Sequence, residues 1–521
     1  MHCKAKKCIV VLLLFALCLT LSGCWKDDPA AEGDALIGLI DGSSTEEEDV
    51  IPITSFSLPI QSGETLDPIT CSDGIQQMVG ALLYEGLFEL DETFAPQKLL
   101  CSDYTSSEDY TVWTFTLREG VTFSDGSALS AQDVVSSLQR AKDSPRYGAR
   151  LAAVSSIRAQ DGRVVITLTA GNNRFPALLD IPIVSQASAG NTVPVGTGPY
   201  RYEAGDGASP SLVKNDTWWK GESVPVDKIP LQLVDEDHSL SYLFSSHEIQ
   251  MLVTDYTGSD PVSYKGSISV TDAASTTMQY LGFNCTGGPF SDAALRRAVS
   301  EGIYRESICK AYFSGHASSA QFPVSPVSQW YPSSLEIPYS TETFAQAMEE
   351  AGYRTGSRSV SVEMLVCEGN SFRLSAAKAI AAALSVYDLK VSIKTLPYEE
   401  YVAALQSGNF DLYYGEVRMT PDFSCAALIG TGGSLNYGRF SDPALDAQIT
   451  TAFTTASAPS SANETMFTTF QQAAPIAVIC FKSQSVVMQG GVVDEITPTC
   501  ANPFYQLSDW EIHIKGEATN G

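Results

Sequence analysis

A short stretch near residue 420 carries the side chains best suited to holding a ligand. Gly415 to Phe423 reads GEVRMTPDF, in which Arg418 lies between two acids, Glu416 and Asp422. The guanidinium of an arginine is a planar fork of donors that grips a carboxylate through two parallel hydrogen bonds. Arg418 is therefore a candidate carboxylate anchor. An ion pair between Arg418 and a neighbouring acid explains its presence equally well.

Four further polar or aromatic residues could complete a binding site in this part of the chain. Asn436 can offer hydrogen bonds, and Tyr437, Tyr413 and Tyr414 can offer apolar walls. Each of the four could equally be an ordinary core residue.

The sequence contains none of the common motifs of hydrolases or of metal sites. G-x-S-x-G, H-E-x-x-H and S-x-x-K with its partners are all missing. The five histidines form no cluster with ligand spacing, so a transition-metal site made by His and Cys is not expected. Gly196-Thr197-Gly198 lacks the following helix and the lysine of a phosphate-binding loop. We therefore expect no enzyme activity, no cofactor and no metal ion.

The elements that must position Arg418 alternate between strands and helices. Strands are predicted over Ser359–Cys367, Lys390–Leu396 and Phe410–Val417, and helices over Phe372–Leu389 and Tyr398–Gln406. Strands that alternate with helices of this length indicate βαβ units in a mostly parallel sheet. Ligands of such sheets bind beyond the carboxyl ends of the strands, which is where Arg418 lies.

A second informative segment, Tyr110 to Leu138, combines a strand, two turns and a helix. Trp113, Phe115 and Leu117 alternate with polar or β-branched residues, which predicts a strand with one buried face. Ser130, followed three residues later by Asp133, predicts a capped helix start.

The same segment resembles the signature region of the family 5 extracellular solute-binding proteins, the peptide/nickel receptors of ABC importers. Phe115 to Val134 fits the recurring F-x-L-R-x-G-V-x-F-S-D-G-x-x-L-x-A-x-D-V. Other family motifs follow in family order: LDP at 66–68, ALLYEGLF at 81–88, GTGPY at 196–200, NDTWWKG at 215–221, YLGFN at 280–284 and NYGRFSDPALD at 436–446. The resemblance spans roughly Leu66 to Asp509.

This resemblance implies an α/β fold of the periplasmic-binding-protein type (class II, cluster C). Two lobes are expected, each a mixed sheet with flanking helices, with the ligand cleft between them. Many peptide receptors of the family read G-W-x-x-D-Y, in which the Asp pairs with the α-ammonium group of the peptide. Here Met419 stands at the Asp position, so Glu416 and Asp422 are candidate substitutes. Tyr84 and Glu85, in ALLYEGLF, could face the cleft or be a packed aromatic and a surface acid.

The function implied by the resemblance is that of a receptor delivering a solute, an oligopeptide first of all, to an ABC permease and its ATPase. One alternative is a sensor or surface-interaction lipoprotein that keeps the fold but serves no transporter. An anchored hydrolase is a further alternative, which only the compartment favours.

The N-terminus predicts export and anchoring to a membrane. Three lysines precede an apolar run, Ile9 to Leu21, that is too short to span a bilayer, and Leu21-Ser22-Gly23-Cys24 resembles a lipobox. We expect residues 1–23 to be a signal peptide, Cys24 to carry lipid, and residues 24–50 to form an acidic tether. The protein would then lie on the outer face of the bacterial cytoplasmic membrane.

Charge and cysteine content add two constraints. Without the three signal lysines the net charge is about −31, which disfavours nucleic-acid binding. Eight cysteines would remain, and the sequence leaves open whether they form disulfides or free thiols.

The domain prediction places the first lobe at residues 51–279, with an extra subdomain at about 70–190. The second lobe is expected at 280–485, and residues 486–521 are expected to return to the first lobe and form the tail.

Overall fold

The computed structural model describes residues 53–514 apart from 206–208, 236–237, 260, 263, 265, 354–355, 357–358 and 457–460. The predicted signal peptide, lipid site and tether at residues 1–50 lie outside the described residues. Within the described ranges, no helix is both long and apolar enough to cross a bilayer.

The first lobe, which we define as residues 53–267 and 490–514, contains three sheets. Its strands are β1 (Leu58–Gln61), β2 (Phe88–Leu90), β3 (Pro96–Lys98), β4 (Cys101–Ser106), β5 (Val112–Leu117), β6 (Val154–Gln160), β7 (Arg163–Leu168), β8 (Tyr200–Glu203), β9 (Ser211–Lys214), β10 (Lys228–Val234) and β11 (Met251–Thr254). Its helices are α1 (Gly74–Gly80), α2 (Ala131–Lys142) and α3 (Leu240–Ser245). The sheets run β1-β10-β9-β8, β4-β5-β7-β6 and β2-β3.

The predicted strand and capped helix near residue 120 are confirmed as β5 and α2. Trp113 and Phe115 are buried, because alternate side chains of β5 face the core of the β4-β5-β7-β6 sheet. Ser130 caps α2 by accepting from the backbone N–H of Asp133 at 3.4 Å. The Asp133 carboxylate accepts in return from the backbone N–H of Ser130 at 2.9 Å, so both halves of the capping box are formed.

Two long strands join the first lobe to the second: β12 (Ile268–Phe283) and the last strand of the fold, β17 (Ile476–Gln489). They pair antiparallel from Ile268–Gln489 at one end to Gly282–Ile476 at the other, with register shifts near the middle. β11 pairs with the first-lobe end of β17. One sheet therefore runs without a break from lobe to lobe.

The second lobe, which we define as residues 284–475, extends this sheet. Its strands are β13 (Ala317–Ser319), β14 (Val360–Cys367), β15 (Leu389–Leu396) and β16 (Leu412–Arg418). Its helices are α4 (Ala293–Glu301), α5 (Arg305–Tyr312), α6 (Thr341–Glu350), α7 (Ser371–Ser385), α8 (Tyr398–Ser407), α9 (Ala426–Ile429), α10 (Pro443–Thr454) and α11 (Ser461–Ala473). β14 pairs in parallel with β15 and with β16, which confirms the predicted βαβ units.

Three local predictions were wrong. The helix predicted to reach Leu389 ends at Ser385, because the chain turns through Asp388 in a left-handed conformation, φ 61°, and starts β15 at Leu389. The sequence also predicts Ser291 as the N-cap of α4, but Asp292 caps it, since the Asp292 carboxylate accepts from the backbone N–H of Ala294 at 2.9 Å. The sequence further predicts a final strand at Trp510 to Ile514, where the structure has one isolated bridge, from Ile512 to Val493.

The helical spacing of Ile75, Val79, Leu82 and Leu83 predicts a helix within Gly74–Glu89 that is longer than the one observed. α1 ends at Gly80, and the carbonyls of Leu82 and Leu83 instead accept from the backbone N–H groups of Tyr200 and Gly198. The GTGPY segment at 196–200 approaches so closely that a Cβ on Gly196 would lie 2.0 Å from the Leu83 carbonyl oxygen. Long-range docking of this segment thus overrides the local helical pattern.

The eight described cysteines are free thiols. They are Cys71, Cys101, Cys285, Cys309, Cys367, Cys425, Cys480 and Cys500.

Candidate functional site

A cavity of about 1080 Å³ lies against the first lobe and reaches residues 418–421 of the second. The crossing strands contribute Ala274, Thr276 and Gln484, and residues 498–509 form another wall. The volume is slightly above the range of about 300–1,000 Å³ that small-molecule sites occupy. Both lobes and both crossing strands therefore meet at this cavity, which makes it the best candidate for the ligand site.

Arg418 brings a free positive charge to the cavity. It is the last residue of β16, paired with Thr277 of β12, and its exposed side chain lines the cavity. Across the part of the chain that the structure describes, the Arg418 guanidinium forms no hydrogen bond or salt bridge. Burial raises the pKa of the Cys500 thiol, and the positive charge of Arg418 opposes this rise. A carboxylate entering the cavity would thus find its fork of donors free.

Met419, at the position of the family's amine anchor, is buried beside Arg418. Its backbone N–H donates to the carbonyl of Thr276 at 2.9 Å, so the chain continues along β12 past the end of β16. The Met419 thioether is uncharged, so it cannot form an ion pair with an ammonium group. No acid therefore stands at this point of the cavity wall.

Glu416 lies outside the cavity, in a charge cluster at the junction of the lobes. Its carboxylate accepts a hydrogen bond from the side-chain amide of Gln279. It also lies 3.3 Å from the guanidinium of Arg373 and 3.8 Å from the ammonium of Lys482, which in turn contacts Asp255 of the first lobe at 2.5 Å. Glu416 thus balances two cations of the protein.

Asp422 is buried and holds the loop that follows β16. Its carboxylate accepts from Thr420 Oγ1 at 2.5 Å, from the backbone N–H of Ser424 at 3.2 Å and from Asn172 Nδ2 at 2.8 Å. Asp422 itself does not line the cavity, although its partner Thr420 does. Asp422 therefore holds the loop and contacts the first lobe through Asn172, and its contact with a ligand stays a prediction.

Asn436 and Tyr437 also lie away from the cavity lining. The Asn436 amide donates to the carbonyls of Gly430 and Phe440 at 2.9 and 2.8 Å, and its oxygen accepts from the backbone N–H of Phe440 at 3.0 Å. Tyr437 packs edge-on against Tyr413, with ring centroids 6.3 Å apart. Both residues shape the second-lobe loop around residue 438 instead of the cavity.

Tyr84 and Glu85 do line the cavity, but their polar atoms are already engaged. The Tyr84 hydroxyl donates to the carbonyl of Pro194 at 3.1 Å. The buried Glu85 carboxylate accepts from Thr197 Oγ1 at 2.7 Å and from the indole N–H groups of Trp218 and Trp219 at 3.2 and 2.6 Å. Of the seven predicted residues, Tyr84, Glu85 and Arg418 border the cavity, and contact with a ligand stays a prediction for all seven.

Protonation of Glu85 should make the stability of the first lobe depend on pH. Burial raises its pKa above the ordinary 4.5, although Trp219, Thr197, Lys220 and Trp218 oppose the rise. Because the folded state then binds the proton more tightly, the resulting stabilisation is complete below pH 4.5 and is lost as pH rises through the folded pKa. Glu85→Gln should remove this dependence. As the pH rises from 4.5 to neutrality, the melting temperature of the parent should therefore fall relative to that of the variant. A difference in melting temperature that does not change with pH would contradict the assignment.

Several cavity residues gave no recognisable pattern in the sequence. Arg150 and Asp180 form an ion pair at 2.6 Å in the wall, and Asn502 donates to the carboxylate of Glu89 at 2.7 Å. Arg150, Asp180 and Asn502 come from turns or irregular segments without helical or strand periodicity, and Glu89 lies in β2, a strand of only three residues. Tyr84, Glu85 and Trp218, by contrast, lie within the recognised motifs ALLYEGLF and NDTWWKG.

Metal-binding geometry is absent from the described ranges, where no three His, Cys, Asp or Glu side chains are grouped so that they could hold a metal ion.

Residues 95–430, more than half of the chain, match the family model described as "Bacterial extracellular solute-binding proteins, family 5 Middle". The glutathione-binding protein GsiB of Salmonella typhi and that of Escherichia coli (strain K12) are each 28% identical over 307 residues. These matches cover 56% of this chain and 60% of each relative.

Solved structures share the fold at low sequence identity. The periplasmic murein tripeptide binding protein MppA, in its unliganded open form, gives a TM-score of 0.72 at 19% identity, covering 88% of this chain and 98% of that one. A nickel ABC transporter protein from Bacillus halodurans gives 0.71 at 21% identity, with coverages of 87% and 98%. The predicted two-lobed, periplasmic-binding-protein-like α/β fold is confirmed.

Proposed function

The chain belongs to family 5 of the bacterial extracellular solute-binding proteins, and from that premise we propose that it captures a carboxylate-bearing solute, a short peptide first of all, for an ABC import permease. The observation that carries the carboxylate is the free guanidinium of Arg418 in the cavity wall. Bidentate hydrogen bonding would fix both the position and the orientation of the carboxylate. An acid at the position of Met419 would instead have favoured binding of the α-ammonium group of a peptide.

The preference for a peptide rests on the relatives. Their names include glutathione-binding and murein tripeptide-binding proteins, whose ligands are small and carry carboxylates. The chain spans about 60% of the length of the curated relatives it matches, so the peptide assignment is ours. In this proposal the ligand bridges the lobes and favours the state in which both contact it, which the permease and its ATPase then recognise.

We also propose that the protein works on the outer face of the cytoplasmic membrane, held there by lipid on Cys24. The support is the Leu21-Ser22-Gly23-Cys24 sequence after a short apolar run. Two or more acyl chains anchor a protein stably.

Thermal melting in the presence of a panel of di- and tripeptides tests the proposed function. A ligand at about 100 times its dissociation constant should stabilise the folded state by roughly 2.7 kcal/mol. For lobes of this size, the melting temperature should rise by about 5–10 °C. Peptides with acetylated N-termini should still bind, since the proposed anchor holds the carboxylate. A panel in which no peptide shifts the melt would reject peptide cargo and favour the sensor alternative.

A further inference from the structure

A loop of the first lobe reaches across to the second lobe at a place outside the cavity. The backbone N–H of Asn173 donates to the carbonyl of Phe453 at 2.8 Å. The Asn173 side-chain amide donates to the carbonyls of Ala452 at 3.0 Å and Thr455 at 2.6 Å. These carbonyls lie at the C-terminus of α10, where the last carbonyl groups of a helix have no N–H donor within the helix. The first lobe therefore caps a helix of the second.

Arg174 extends the same contact with a buried charge. Its side chain is 4% exposed, and burial lowers its pKa to about 10, so it stays charged at neutral pH. Nη2 donates to Asn463 Oδ1 at 2.9 Å and Nη1 to the carbonyl of Asp422 at 3.2 Å. The guanidinium also lies over the rings of Trp330 at 3.9 Å and Phe453 at 4.3 Å. All four partners belong to the second lobe.

Asn172 connects this contact to the loop that carries the cavity wall. Its amide donates to the Asp422 carboxylate at 2.8 Å, directly after residues 418–421. Asn172, Asn173 and Arg174 themselves do not line the cavity. The contact is thus made entirely between protein groups and needs no ligand to complete it.

We propose that Asn172, Asn173 and Arg174 form an inter-lobe clamp that holds the two lobes together at this edge in the ligand-free protein. The clamp limits how far the lobes separate, and it adds the same free energy to the joined state whichever solute is bound. This inference goes beyond the proposed function, because it concerns the protein without ligand and is independent of what the cavity accepts.

Asn173→Asp tests the clamp with almost no change in shape. The substitution replaces a donor by a negatively charged acceptor facing two carbonyl oxygens at the C-terminus of a helix, where negative charge is unfavourable. Loss of hydrogen bonds of this strength should shift the ratio of joined to separated lobes by about tenfold or more. Small-angle X-ray scattering of protein stripped of solute by unfolding and refolding should show a larger radius of gyration for the variant than for the parent.

Arg174→Ala should produce the same expansion, since it removes two hydrogen bonds and two ring contacts. Arg163→Ala is the matched control, because Arg163 is an exposed arginine of β7, the strand that precedes the clamp residues in the chain. The control should scatter like the parent. If both clamp variants melt earlier but keep the parent's radius of gyration, these residues only stabilise the fold and the proposal is overturned. Equal expansion in the Arg163 control would overturn it as well.

Discussion

Replacing Arg418 by alanine should weaken binding of a peptide with a free C-terminal carboxylate by roughly 10- to 150-fold. That factor corresponds to the 1.5–3 kcal/mol that a hydrogen bond to a charged group contributes. The melting temperature without ligand should barely change, because within the described ranges Arg418 has no ion-pair or hydrogen-bond partner to lose. Arg418→Lys should restore only part of the affinity, since a point charge cannot reproduce two parallel hydrogen bonds.

Two controls separate a carboxylate anchor from a general effect on the cavity. Arg146→Ala removes another exposed arginine from the lining, one that donates to the carbonyl of Cys71 at 3.3 Å, and it should cost less affinity. Isothermal titration with each peptide and its C-terminal amide provides the second control. The amide should bind the parent weakly and lose little on substitution, whereas equal losses for acid and amide would rule out the anchor.

Phe115→Ala should lower the free energy of unfolding of the first lobe by about 3–5 kcal/mol, the cost of emptying a large buried aromatic site. Phe115 is fully buried in β5. Its ring lies among those of Phe88 at 5.9 Å, Trp113 at 6.2 Å and Phe175 at 6.4 Å. Denaturant unfolding followed by tryptophan fluorescence measures the change.

Thr116→Ala is the matched control for this prediction, because Thr116 follows Phe115 in the same strand and its half-buried side chain points to the other face. Its effect should be less than about 1 kcal/mol. A similar loss for the two variants would mean that strand propensity, and not burial of the Phe115 ring, determines stability here.

Local sequence patterns were sufficient to predict those elements whose structure depends only on residues near them in the chain. The alternation from Trp113 to Leu117 and the reciprocal hydrogen bonds of Ser130 and Asp133 depend on neighbours within a few residues, and the structure contains both. The βαβ order from Val360 to Arg418 was recoverable for the same reason. α1 was predicted too long because its end depends on Gly196 and Gly198, which are far away in the chain.

The cavity could be predicted only in part, because its walls come from distant segments. Because side chains alternate along a strand, Glu416 and Arg418 lie on the same face of β16. The sequence alone therefore does not show which of the two is available to a ligand. Lys482, brought from β17, and Arg373, from α7, neutralise Glu416 and leave Arg418 alone at the end of the strand. Such partners are decided by the tertiary fold, which no spacing within GEVRMTPDF encodes.

The continuous sheet also has a consequence for the order in which the chain can fold. β17 lies between β11 and β12, so both earlier strands have an unpaired edge until residues 476–489 have joined the sheet. Contacts between distant parts of a chain form slowly, and exposed strand edges invite aggregation. The sheet that joins the lobes can therefore be completed only when nearly the whole chain is available, so it is expected to form late in folding.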